Sequence, residues 1–457
     1  MRTSRYAVAA LVGVIALMTV ACVAPDGGTP TTTTSTTSTT IPPDDPNGVY
    51  VAVTGEDTGD CKASATPCLT ITYAVSQAVP GNTVYVAAGT YPEVVPVNQN
   101  LDFEGANVGI AGTATRGAET IVKGFRNPGN PGTTSIDVGI DGFRIDPQGD
   151  TGLISATLSP LVWLRGGTTG VVVQNNVFNG GAFVPNCSYN CTTMTDAAFT
   201  VQSGTVSFND NLVQNFRRPV NINQPVGAPA TTATVADNSF TGITSRAISL
   251  AGSTGVQMGG QVVTGNTVDA TGIASPSSPA GVTVSNFGNT ISGNSFTAFG
   301  SGVYIDICKK FNTDNNTITG NTFTGNGGGV NINVNSDGGQ CISSATEGSG
   351  GWVVGGGQLN GLAITGNDFL GNTSYAVRIG AYNWGFWNPT APAITPGPID
   401  ASCNYWGSPA GPTVTNIDYG TALVALADQL VTSGTPSPLG ATSTTWRTTA
   451  GGACDGA

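Results

Sequence analysis

Eight segments of this chain align on one asparagine column: Asn176, Asn211, Asn238, Asn266, Asn294, Asn321, Asn367 and Asn404. Typical members read VADNSFTG, VTGNTVDA, ISGNSFTA and ITGNTFTG, with Phe or Val two residues after the asparagine. In the middle of the chain the successive gaps are 27, 28, 28 and 27 residues. A fixed period of that size marks stacked supersecondary units, none of which buries its apolar face alone. Each unit then holds several short strands, hydrogen-bonded to the units above and below at about 4.8 Å. The asparagine is expected at a bend, its amide tolerating an awkward backbone conformation and bonding to the next asparagine. An antiparallel sandwich would need hairpin signals and would not keep the period.

A second column supports the register. Nine or ten residues after most of these asparagines comes an alternating apolar strand, with Val220, Ile248, Val303, Val330 and Val377 as inward markers. The return to the next asparagine takes 18, 18, 18, 37 and 27 residues. One corner of the unit is therefore expected to be invariant, and insertions collect elsewhere, on the side where solenoids carry function. Between the inward residues, Tyr304, Asp306, Asn331, Asn333 and Arg378 are expected to face outward.

Three inserted loops leave from equivalent points of neighbouring units: residues 308–315 with Lys309 and Lys310, residues 335–361 with Trp352, and residues 382–398. The last crowds Tyr382, Trp384, Phe386 and Trp387 into six residues, although aromatics make up 7% of the chain. Such rings suit the apolar faces of sugars, or else they plug the core near its C-terminal end.

Composition narrows the partners. A formal charge of −12 and the lack of a basic stripe argue against nucleic acid. The chain contains no histidine, so Ser/His/Asp and Cys/His arrangements cannot occur. Hydrophobic residues at 39% are too many for simple disorder.

Arg2 and Arg5 precede an apolar run from Ala7 to Val20, which reads as a secretory signal over residues 1–21. The following LMTVAC resembles the bacterial lipoprotein box, which implies acylation of Cys22, export and a membrane anchor. Thr19 departs from that box, so ordinary cleavage after Ala21 or Ala24 stays open. Residues 22–47 then form a Thr/Pro-rich spacer. Setting Cys22 aside leaves eight of the nine cysteines, an even number in an exported chain. Proximity proposes Cys61–Cys68, Cys187–Cys191, Cys308–Cys341 and Cys403–Cys454, one of 105 possible connectivities.

The stretch LTITYAVSQAV has helical spacing at Leu69, Ile71, Ala74, Val75, Ala78 and Val79, and PGN ends it before a strand at Val84–Ala87 and a GTY turn. This order resembles the N-terminal cap and first coil of right-handed parallel β-helix proteins of the pectate-lyase-like superfamily. The resemblance implies an all-β fold. A single-stranded right-handed parallel β-helix of about ten to twelve coils would cover residues 48–415, with a helical cap before it and a cap over 416–457 after it. ASCNYWGSPAGPT resembles the closing motif of bacterial and archaeal β-helix surface proteins, with Trp406 filling the last coil.

The superfamily includes lyases and hydrolases of polysaccharides, but their paired-Asp, GHG, RIK and DPHD patterns are missing from this sequence. Two functions follow. One is a surface-displayed recognition, adhesion or structural protein without cofactor, binding an extracellular polysaccharide or cell-surface glycan through Tyr304, Asn331, Asn333, Trp352, Tyr382, Trp384 and Trp387. The other is a divergent polysaccharide lyase or glycoside hydrolase using Asp306, Lys309, Lys310 and Arg378, with calcium as its cofactor if it is a lyase.

Overall fold

The computed structural model describes residues 44–127, 136–154, 159–165, 167–185, 194–224, 231–252, 259–273, 280–307, 313–334, 361–381, 399–408, 410, 424–425, 441–442 and 447–454. They form a right-handed parallel β-helix, with strands in a 13-stranded and a 19-stranded sheet. Twelve strands of the smaller sheet lie between Gly48 and Asp400, about one per coil, and the last is Ala441–Thr442. The larger sheet runs as two columns. One consists of three-residue strands such as Ser295–Thr297 and Thr322–Thr324, the other of longer return strands such as Ser301–Ile307 and Gly328–Val334. Neighbouring coils pair in parallel, and Val303, Val330 and Val377 stack in register.

All eight aligned asparagines form one interior ladder. The backbone N–H of each donates to the side-chain oxygen of the next: Asn238 to Asn266 at 3.0 Å, Asn266 to Asn294 at 2.9 Å and Asn294 to Asn321 at 2.9 Å. The ladder starts at Asn176, whose Oδ1 accepts from Phe143, and ends at Asn404. The awkward backbone conformation, however, falls on the residue before each asparagine, not on the asparagine itself. Asn175, Asp210, Asp237, Gly265, Gly293, Gly320, Gly366 and Cys403 all have φ between 55° and 67°. Asn, Asp and Gly are the residues that tolerate this region most easily.

Two further ladders went unread. Gln261, Asn289 and Asn316 form one, and Phe299, Asn326 and Asn372 form the other. The segment NTITGNTFTGN thus places Asn316, Asn321 and Asn326 at three successive corners of a single coil. Inside the ladders, Phe296, Phe323, Phe369 and Trp406 stack with centroids 5.1–5.3 Å apart. The backbone opposite comes so close that a Cβ on Gly302 would lie 2.3 Å from the Phe323 ring.

The corner after the ladder is not invariant. The return strand that follows Asn266 is centred on Val282, 16 residues on, and pairs with both Ile248 and Val303. After Asn176 the return strand begins only at Phe199. Insertions therefore occur at two corners of the coil, and the Val282 rung was missed for that reason.

At the N-terminal end the helix spans Ile71–Gln77, with Ile71, Ala74 and Val75 buried over the first coils. Leu69 and Val79 lie outside it and are exposed, because Thr70 caps one end and Ala78 leaves helical geometry at the other. The Asp57 and Glu93 carboxylates accept from Thr70 and Thr72 N–H, satisfying donors that a helix start leaves open. GTY opens the strand Gly89–Pro96 and is not a turn. Disulfides join Cys61 to Cys68 and Cys403 to Cys454. The second is reinforced by Arg447 on Asp368 at 2.7 Å. Cys22, Cys187, Cys191, Cys308 and Cys341 lie outside the described residues, as does most of the expected C-terminal cap.

Candidate functional site

The pleat of the return strands sends alternate residues outward. In register these are Arg126, Trp163, Thr200, Asn221, Ser249, Thr283, Tyr304, Asn331 and Arg378. Tyr304, Asn331 and Arg378 thus share one column, as the alternation implies. Asp306 aligns with Asn333 and Gly380 in the neighbouring column. Lys309, Lys310, Trp352, Tyr382, Trp384 and Trp387 lie outside the described residues.

The middle of the column is small and nearly buried: Thr200, Asn221, Ser249 and Thr283 are each 5–9% exposed. Asn221 Nδ2 donates to Arg218 O at 2.9 Å, whereas Thr200 Oγ1 has no hydrogen-bond partner among the described residues. A buried hydroxyl without a partner is unfavourable unless something else supplies one.

Both ends carry guanidinium on aromatic. Arg126 and Arg165 lie 5.7 and 4.5 Å from the centre of the Trp163 ring. At the far end Arg378 lies 5.5 Å from the Tyr375 ring, which is laid flat over Gly328 with its hydroxyl 3.2 Å from Ser301 Oγ. Only Gly at 328 admits the ring, since a Cβ there would overlap it. Burial holds the Arg126 pKa below its usual value and the Asp150 carboxylate opposes this, so the group stays charged. Arg126, Trp163, Arg165 and Tyr375 were missed from the sequence. Tyr375 stands two residues before the inward marker Val377, so alternation alone would put it on the opposite face from Arg378, and only the packing of its ring over Gly328 brings it beside that residue.

Other polar clusters have structural roles. Buried Asp196 takes a two-pronged contact from Arg218 at 3.0 and 2.6 Å and lies 3.4 Å from Arg217. On the smaller sheet Tyr85, Glu104, Asp141 and Gln174 stand in one column. Asp141 accepts from Gly109, Gln174 and Asn175. Burial first, then the charges of Asp141, Asp102 and Asp45, push the Glu104 carboxyl above its ordinary pKa. The folded state therefore favours its neutral form, and ionised Glu104 destabilises the fold at pH 7. Glu104→Gln is expected to raise the thermal midpoint at pH 7, with the gain shrinking as pH falls towards the ordinary glutamate range and gone below about 4. A lower midpoint at pH 7 would contradict this.

Stacked coils with interior amide ladders and parallel pairing from coil to coil define a parallel β-helix solenoid. Within that class, the chain belongs to the family described as periplasmic copper-binding protein (NosD), whose model matches residues 149–411. No curated protein matches the sequence. Among solved structures, it is similar to the complex of XylC with xylose, at 11% identity and a TM-score of 0.35, covering 78% of this chain and 69% of that one.

The family's periplasmic description supports export. Its copper description finds no fitting donors among the described residues. Copper favours imidazole, thiolate and thioether ligands. The sequence has no His, the four described cysteines are in disulfides, and Met194 is fully buried. Among the described residues no group of three or more His, Cys, Asp or Glu is placed to hold a metal ion.

Proposed function

We propose that this chain is an exported recognition protein that lays a polysaccharide along the outward column of its return strands. The observation that carries this is the column itself: polar residues in register, nearly buried from Thr200 to Thr283 and half-buried at Tyr304 and Asn331, between two aromatic–guanidinium pairs. The half-buried Tyr304 and Asn331 would meet sugar hydroxyls, and the flanking ring systems would fix the ends. Tyr382, Trp384 and Trp387, which follow the strand Tyr375–Ala381 in the sequence, are proposed as further sugar contacts. Acylation of Cys22 would hold the whole at a membrane and display it to extracellular glycans.

Binding is favoured over turnover. Hydrolysis of a glycosidic bond ordinarily uses two carboxyl groups across the scissile bond. Asp306 has Asn333 and then Gly380 as its register partners, so the next two coils add no second carboxylate to its column.

A polysaccharide array read for both retention and product release tests this. Retention without unsaturated or new reducing ends is expected. Trp163→Ala combined with Tyr375→Ala should weaken binding at least about tenfold, the loss of two aromatic contacts, with little change in the thermal midpoint. Released ends, or no retained polysaccharide at all, would refute the proposal.

A further inference from the structure

We infer that Arg126, Trp163 and Arg165 form a subsite for the carboxylate of an acidic sugar. This rests on the recognition function proposed above and names the charged group of its ligand. The chain as a whole is acidic, with 27 Asp and Glu against 15 Lys and Arg. Five described arginines sit on carboxylates: Arg116 on Glu119, Arg144 on Asp146, Arg217 and Arg218 on Asp196, and Arg447 on Asp368. Arg126 and Arg165 depart from that pattern. Among the described residues neither has an ion pair or a hydrogen bond, and Arg126 Nε, shielded from water, is left without an acceptor.

Both of these guanidiniums converge on one indole. Arg126 is the register partner of Trp163 in the neighbouring coil, and Arg165 stands two residues after Trp163, just beyond the strand Val162–Leu164. Their guanidinium carbons lie 5.7 and 4.5 Å from the centre of the ring. Arg126 and Trp163 are half-buried and Arg165 is exposed, so the cluster meets solvent. The aromatic ring attracts both cations but neutralises neither. The carboxylate that acts on Arg126 from nearby, Asp150, is itself paired with Lys123 at 3.1 Å. The cluster thus keeps an excess of positive charge, which an incoming anion would balance.

Guanidinium chemistry selects the kind of anion. Its planar fork of N–H donors matches the two oxygens of a carboxylate. Packing against Trp163 already restrains both side chains, so less freedom is lost on binding than for arginines standing clear of the surface. A small anion alone would be held weakly here, because salt screens a pair of cations that face water. A carboxylate carried on a polysaccharide is different: the contacts made by the rest of the polymer deliver it at high effective concentration. The subsite therefore selects for charge, and polymers bearing carboxylates are retained in preference to their neutral counterparts.

The test is calorimetry with an oligogalacturonate and its full methyl ester of the same length, at about 0.15 M salt. The acid should bind at least about tenfold more tightly than the ester, as charge-assisted contacts are lost on esterification. Arg165→Gln and Arg126→Gln should each remove most of that preference. Arg165→Lys, which keeps the charge but loses the fork, should retain only part of it. Arg144→Gln, at an arginine already paired with Asp146, should leave the preference unchanged. Neither Arg165→Gln nor Arg126→Gln should lower the thermal midpoint, since each removes a cation that has no ion-pair partner among the described residues, whereas loss of a structural arginine would lower it. Equal affinity for acid and ester, a preference that survives both Gln variants, its equal loss in Arg144→Gln, or a lower midpoint in both Gln variants would overturn the inference. If neither oligomer binds while the array retains another polysaccharide, the inference falls and glycan recognition stands. An array that retains nothing would remove the recognition proposal beneath it as well.

Discussion

Val330→Asp is expected to unfold the C-terminal coils, at a loss of about 4 kcal/mol or more, a size reached only by a few kinds of substitution. Val330 is fully buried and lies in register between Val303 and Val377, themselves 0% and 1% exposed. A carboxylate there would have aliphatic neighbours above and below and no counter-ion in its own column. It would either remain charged in an apolar site or take up a proton, and both are costly. Val330→Ala, which only removes methyl groups, should lose about 2 kcal/mol by comparison. Because each coil of a solenoid contacts its neighbours alone, the damage should stay local. Hydrogen exchange should show protection lost first in Ser301–Ile307, Gly328–Val334 and Tyr375–Ala381, and retained in Asn82–Val86 and Leu101–Glu104. Unchanged protection throughout would mean that the inward face of these strands has been misassigned.

The parts of the fold that could be read in advance were those where one residue does a job no other does well. A buried amide that donates and accepts at every coil leaves an asparagine in every repeat, and so the period survives in the sequence. Before Asn176 that marker stops. Phe143 occupies the equivalent position, donating its N–H to Asn176, and only Gly142 at φ 81° keeps the corner. Arg126 and Trp163 lie in that unmarked region, which is why one end of the column was invisible. The other end was half legible: alternation placed Tyr304, Asn331 and Arg378 together, but Tyr375 belongs to the same surface only because its ring folds back over Gly328. The Val282 rung escaped for a different reason, an insertion at a corner that the neighbouring coils keep short. Register within a strand is set by a period of two and is robust, whereas loop length between strands is not constrained by the core at all.

Asn294→Ala is expected to lose about 2–4 kcal/mol, as one or two buried groups are left without partners. Asn294 Oδ1 accepts both the backbone N–H and the side-chain amide of Asn266, at 2.9 Å each. Its own amide donates to Val263 O, Ser292 O and Asn321 Oδ1. After the change Asn266 Nδ2 keeps Val235 O and Thr264 O, but its backbone N–H faces no acceptor from the coil below. Asn294→Asp should be worse than Ala, since a carboxylate cannot donate and would point oxygen at the oxygens of Val263, Ser292 and Asn321. Asn372→Ala offers the control. That side chain is only half-buried and is the last of its ladder, accepting from Asn326 N–H, so its removal lets water reach the abandoned N–H, and a loss below about 1.5 kcal/mol is expected. Denaturant midpoints of the three variants should therefore fall in the order Asn372→Ala, Asn294→Ala, Asn294→Asp, from most to least stable. If Asn294→Asp proves as stable as the parent protein, the asparagine column reflects turn preference alone, and its amides contribute little to holding the coils together.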